Sequence, residues 1–186
     1  MANRKIGVIV GSLRKGSYNR QIATKLMSLF PSEYQVEMIE IGSLPLYNED
    51  LDTPGNVPQA WTDFREKVAE KEGFLFVTPE YNRSMPAAMK NALDVASRPF
   101  GENAWGGKPA AVVSGSIGAT GGFGAHHHLR QTLVVLGVTA APQPEVYLGN
   151  VTSFINEDGT ITKEDTVKFF QGIVDGFVLF TEQFYK

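Results

Sequence analysis

The chain has 186 residues, 42% of them apolar, and its 17 Lys and Arg against 20 Asp and Glu leave a net charge of −3. That length fits one domain with a sizeable core, and the absence of a basic patch beyond Arg14, Lys15 and Arg20 gives no support to nucleic-acid binding. There is no cysteine, which excludes disulfides, thiol nucleophiles and thiolate metal sites, and no apolar run approaches the roughly 20 residues of a membrane span.

Met1-Ala2-Asn3-Arg4 leads into the first strand without a signal-peptide core, so a cytoplasmic location is expected. The first strand is read at about 5–10, over Ile6-Gly7-Val8-Ile9-Val10, and the first helix at about 19–30, with Ile22, Ala23, Leu26 and Phe30 at helical spacing and Pro31 beyond. Gln35 to Ile41 reads as the second strand. A loop rich in Pro, Gly, Asn and Asp follows from Gly42 to Asn56, longer than most connections and so a candidate binding or subunit contact. Val57, Trp61, Phe64 and Val68 predict the second helix, with Asp63 and Lys67 paired on its outer face. Phe74-Leu75-Phe76-Val77 is a strand buried on both faces.

Pro86 sits at the entry of a third helix running to about Arg98. Lys108 to Ser114 is the fourth strand, and a glycine-rich loop then leads to a fourth helix from about Ala125 to Leu136. The fifth strand lies within Val138 to Leu148, and Phe154 to Thr162 is expected to form a small hairpin around Asp158-Gly159. The last helix, about 163–184, places Val167, Phe170, Ile173, Phe177, Phe180 and Phe184 on one stripe. Strands alternating with helices predict a single α/β domain over 1–186, its parallel sheet covered by helices on both faces.

Ligands of such sheets sit beyond the carboxyl ends of the strands. Three unusual loops leave those ends. In the first, Gly11 to Asn19, glycine and serine crowd a strand-to-helix turn, leaving backbone N–H groups for a phosphate where the helix dipole is positive. Ser17 stands where a triphosphate loop needs lysine, and Leu13 and Arg14 break a dinucleotide fingerprint. A single terminal phosphate monoester, as in FMN, remains, with an ordinary serine-capped turn as the bland alternative.

Gly11-Ser12-Leu13-Arg14-Lys15-Gly16-Ser17-Tyr18-Asn19, Pro79-Glu80-Tyr81-Asn82-Arg83-Ser84-Met85-Pro86 with the Ala87 to Asp94 stretch after it, and Gly107-Lys108-Pro109 resemble the NAD(P)H-dependent FMN reductases, which include chromate, quinone and azo-compound reductases. The resemblance spans nearly the whole chain. It implies a flavodoxin-like doubly wound five-stranded parallel sheet of order 2-1-3-4-5, non-covalent FMN with NAD(P)H as co-substrate, small electron acceptors, and homodimers or dimers of dimers. By position it puts Ser12, Arg14, Ser17, Tyr18 and Asn19 around the phosphate, Pro79, Glu80, Tyr81 and Asn82 along the isoalloxazine, and Ser114, Gly115 and Ser116 at its other edge and the ribityl chain. Arg83 and the 42–56 loop become candidates for the acceptor pocket. The arginine that related chromate and quinone reductases carry after the Gly121-Gly122 pair is replaced here by Phe123, Gly124 and Ala125, which counts against tetramers built by that route.

His126-His127-His128 cannot all face one point on a helix, so a surface or subunit role is expected and no metal site. Ser114 to Gly118 nearly matches a hydrolase elbow, but no histidine follows Asp158 or Asp175. The other readings of a flavin domain are a flavodoxin-type electron carrier, for which the charge is only mildly acidic, and a flavin-based sensor module.

Overall fold

The computed structural model describes residues 3–186; Met1 and Ala2, part of the stretch read as lacking a leader, lie outside them. Three apolar runs with no polar face stand side by side in the sheet: β1 (Lys5–Val10), β3 (Gly73–Thr78) and β4 (Pro109–Gly115). The half-exposed β2 (Gln35–Ile39) takes one edge. The fifth position is filled by two short pieces, β5 (Thr139–Ala140) and β6 (Val146–Leu148), both parallel to β4. The order is β2-β1-β3-β4-β5, as the flavodoxin-like reading expects, with β6 continuing on the outer side of β4.

The break in the fifth strand has a local cause. Pro142 and Pro144 stand between its two halves, and neither can donate to a ladder. The expected hairpin at 154–162 does not form. Asp158 Oδ1 accepts from Thr160 N and Oγ1 at 2.9 and 2.7 Å, and Asn156 Nδ2 donates to Thr160 and Thr162 hydroxyls. Side chains thus take the bonds a strand pair would need, leaving a compact turn pinned by buried Ile155 and Ile161.

Five helices cover the sheet: α1 (Tyr18–Met27), α2 (Gln59–Ala69), α3 (Ala87–Ala96), α4 (Phe123–Val135) and α5 (Glu164–Phe184). Alternation along the strands divides the core. Phe74, Phe76, Ala110 and Val112 point to the side of α2, α3 and α4, where Trp105 packs 4.8 Å from Phe74, while Leu75, Val77, Ala111 and Val113 meet α1 and α5. Gly7 is required between them, since a Cβ there would lie 2.8 Å from the Phe74 ring. On α5 the buried stripe is Phe170, Ile173, Val174, Phe177 and Thr181, narrower than the aromatic spacing suggested. On α2, Asp63 accepts from Gln59 Nε2 at 2.7 Å, and the expected pairing with Lys67 is not formed.

The long 42–56 connection is held tightly. Buried Asn91 on α3 accepts from Tyr47 N at 2.8 Å and donates to the Leu44 and Pro45 carbonyls. Asp52 meets Arg65 in a two-pronged pair at 2.7 and 2.8 Å, which holds its carboxyl below the usual range. Replacing Asn91 by alanine strands the Tyr47 amide and the Leu44 carbonyl, while the Pro45 carbonyl keeps its bond from Trp61 Nε1, so urea unfolding of Asn91→Ala is expected to read a loss of about 2 kcal/mol; a loss under about 0.5 kcal/mol would show that the loop is held by its apolar contacts instead.

Candidate functional site

The register pairs Val10 with Val77 and Thr78 with Ser114, so β1, β3 and β4 end at one level. A cleft of about 570 Å³ opens beyond those ends, within the usual range of small-ligand sites. Its first wall is the turn into α1. Ser17 caps that helix, accepting from Arg20 N at 3.2 Å, and the N–H groups of Tyr18 and Asn19 belong to the first turn, which has no intrahelical acceptor. Ser12, Arg14, Ser17, Tyr18 and Asn19 all line this wall, and the Arg14 guanidinium lies 5.1 Å from the centre of the Tyr18 ring. Among the described residues no carboxylate pairs with Arg14.

Pro79, Glu80 and Tyr81 form the second wall, and Gly115 and Ser116 the third. Asn19 joins the first wall to the third: its Nδ2 donates to the Gly115 carbonyl at 3.0 Å. Its Oδ1 is buried and accepts from nothing in the protein. An orphaned acceptor at this depth is costly, and a ligand bearing hydroxyl groups satisfies it. The ribityl chain of FMN carries such hydroxyls, and the dianionic end of FMN suits a capped helix start beside Arg14, so the donor set fits that cofactor.

Two expected cofactor positions lie off the lining. Ser114 Oγ donates to the Gly121 carbonyl at 2.7 Å and so braces the loop before α4, and Asn82 and Arg83 form the outer turn. Both have positive φ, 51° and 66°, while Tyr81 and Ser84 exchange backbone hydrogen bonds of 2.9 and 3.0 Å, a tight two-residue hairpin turn. The Arg83 guanidinium meets Glu80 at 3.1 Å with its side chain in solvent, on the rim of the cleft. Sequence reasoning missed Ile117, Val151 and Thr152, which complete the lining. The signal for the last two is Gly149-Asn150 directly after a strand end, the same punctuation that marked the other loops.

Glu80 has a second duty. Gly122 leads into α4 with φ 83° and no capping side chain, and Glu80 supplies the cap from another element, accepting from Ala125 N at 3.1 Å. The fit is close, for a Cβ on Gly124 would stand 2.7 Å from the Arg83 carbonyl oxygen. Glu80→Ala is expected to lower stability by about 1 kcal/mol in thermal or urea unfolding, the usual worth of a cap, and to weaken flavin retention; Glu80→Gln, which keeps the acceptor oxygen, should restore most of both.

The histidines part company. His127 Nε2 meets the Tyr147 hydroxyl at 3.0 Å and His128 Nδ1 the Ser84 hydroxyl at 2.9 Å, whereas His126 is fully buried, contrary to the expected surface role for the run, with both ring nitrogens unpartnered by side chains. Among the described residues no group of ligands could hold a metal. Burial, aided by Arg130 and His127 and opposed by Glu145, pushes His126 down to about 4, while burial and Glu145 push the Tyr147 hydroxyl up to about 12. Unfolded, His126 binds its proton near 6.5 and the folded protein does not, so its contribution to stability falls as pH drops from 6.5 towards 4, at a slope approaching about 1.4 kcal/mol per pH unit. The difference in urea unfolding between wild type and His126→Leu, measured from pH 7 to pH 4, should carry that slope; a flat difference would contradict the buried neutral ring.

The family described as NADPH-dependent FMN reductase matches residues 4–153. A quinone reductase from Pseudomonas putida is 50% identical over 92% of this chain and 91% of its own. A 2-hydroxy-1,4-benzoquinone reductase from a Burkholderia species is 46% identical over 93% of each. Among solved structures, the flavoenzyme NAD(P)H:(acceptor) oxidoreductase FerB of Paracoccus denitrificans aligns with a TM-score of 0.89 at 38% identity, covering 97% of this chain and 98% of that one.

Proposed function

The chain belongs to the NADPH-dependent FMN reductase family, and we propose from that premise that it oxidises NAD(P)H at bound FMN and delivers the electrons to small quinones. The observation that carries this reading is the single cleft in which the capped start of α1, the orphaned Asn19 oxygen and the 79–81 backbone meet. FMN bound there supplies a carrier that takes hydride from NAD(P)H and returns two electrons to an acceptor. The protein's part is to bind and orient. Ser12, Ser17, Arg14 and the N–H groups of Tyr18 and Asn19 hold the phosphate; Asn19 and Ser116 meet the ribityl hydroxyls; Pro79, Glu80 and Tyr81 fix the ring edge through their backbone, with Asn82 in the turn behind them, and Gly115 flanks the opposite edge while Ser114 braces the loop before α4.

No side chain is required as acid or base. Tyr81, 53% exposed, and Ile117, 67% exposed, leave the cleft an apolar open side suited to a flat acceptor, with Arg83 at its rim. The P. putida and Burkholderia relatives bear the names of quinone reductases, which favours quinones over azo compounds, free flavin or chromate. Bare apolar side chains at Leu46, Phe100, Val134 and Val135 support contact with a second copy of the chain, as in a homodimer. No helix among the described residues is long and apolar enough to cross a membrane; use of NAD(P)H as donor supports a cytoplasmic location.

Anaerobic mixing of the FMN-loaded protein with NADPH should bleach the flavin with no partner protein, and 1,4-benzoquinone should restore the colour. A flavodoxin-type carrier would stay oxidised, and failure to retain FMN would overturn the reading. Asn19→Ala should weaken FMN binding about tenfold, the worth of one buried hydrogen bond, in a fluorescence titration.

A further inference from the structure

Beside the cleft, between α1 and the 159–162 turn, lies a groove of about 810 Å³. Arg14 and Ser17 line both, so the groove is continuous with the end of the cleft assigned to the FMN phosphate. It is strongly basic in a chain of net charge −3: Arg14, Lys15, Arg20 and Lys25 line it, and no carboxylate does. Arg20 pairs with Glu40, whereas among the described residues Arg14, Lys15 and Lys25 have no ion-pair partner. Asp158, adjacent to the turn that lines the groove, is turned onto Thr160.

The groove offers both kinds of surface a nucleotide needs. Gln21, Thr24 and Lys25 on one face of α1, and Ser28 at its end, present polar groups, while the exposed Leu13 side chain gives apolar surface for a base. From the start of α1 to Lys25 the helix rises about 10 Å, which sets Lys25 well apart along the groove from the cations at its phosphate end. A ligand reaching the flavin at one end and filling this groove at the other must be long, and it must carry several negative charges to match the cations. The pyridine dinucleotide phosphate answers both demands.

Resting on the reading above, we infer that the groove between α1 and the 159–162 turn holds the phosphorylated adenosine half of NADPH, with Lys15 and Lys25 recognising its phosphates and so setting a preference for NADPH over NADH. A cation near the adenosine ribose is the general means of accommodating the 2′-phosphate. The donor's charge then matters more than its nicotinamide, and ionic strength, which screens exposed charges within about 10 Å, weakens NADPH more than NADH.

The test uses the FMN-loaded protein and the double variant Lys15→Gln/Lys25→Gln. In wild type, KM for NADPH should lie below that for NADH, and the variant should raise the NADPH value about tenfold with kcat and the NADH parameters unchanged. By calorimetry, 2′,5′-ADP should bind wild type more tightly than 5′-ADP, and the variant should lose that difference. Equal effects on the two donors, no effect on either, or equal binding of the two ADP isomers would overturn the inference. Loss of the FMN reading itself is distinguishable, because it would abolish oxidation of both donors and the flavin absorbance with them.

Discussion

β1, β3 and β4 stop at one level because their register pairs Val10 with Val77 and Thr78 with Ser114, and one hydrogen bond, from Asn19 Nδ2 to the Gly115 carbonyl, then ties the start of α1 to the end of β4. Everything in the cleft follows from that tie. A parallel sheet leaves each strand end with unpaired backbone groups, and three such ends side by side would otherwise be capped by water. Here they face a common space whose one buried acceptor without a protein donor, Asn19 Oδ1, calls for a ligand hydroxyl. The same bond leaves no room for a side chain at Gly115, where a Cβ would lie 2.9 Å from that oxygen.

Much of this was legible in the chain, because the informative signals are local. Buried strands announce themselves as runs such as Phe74-Leu75-Phe76-Val77, and the loops after them by glycine, serine and proline, so the order of elements and the loops that meet at the cleft could be read directly, while most individual lining residues followed from the family resemblance. What could not be read depends on distant partners. Nothing around Glu80 says that its carboxylate caps a helix 45 residues away. Asn82-Arg83 lacks the glycine that usually marks a tight hairpin turn, and its left-handed conformation is stabilised by the start of α4 pressing against it. Asp158-Gly159 carried a true turn signal, but side-chain bonds from Asp158 and Asn156 consumed the polar groups a strand pair would have used. His126 looked like one of three surface residues and is the one whose position on α4 faces inward.

The long 42–56 connection shows the same dependence on context. Its length suggests a binding or subunit contact, and Asn91 and Arg65 draw it onto α2 and α3 through bonds that span up to 47 residues of sequence. Entropy is therefore spent on this side of the molecule in folding, not in binding. An ordered rim also constrains how the cleft can change shape when a ligand enters, since the second wall is fixed to α4 by Glu80 and the third to the loop before α4 by Ser114.

Rigid walls and an apolar opening together bear on selectivity. A site rejects an unsuitable molecule strongly only when that molecule leaves buried polar groups unpaired, whereas apolar surface distinguishes sizes by a few kcal/mol at most. In this cleft the polar groups concentrate at the helix start and at Asn19, the end that a phosphate and a polyhydroxyl chain would occupy, while Tyr81 and Ile117 present apolar surface at the open end. Discrimination is accordingly sharp for the cofactor and loose for whatever stacks on it. On the proposed reading, this geometry makes the site exacting about the molecule it keeps and permissive about those it reduces, with the exposed apolar rim as the cause of the permissiveness.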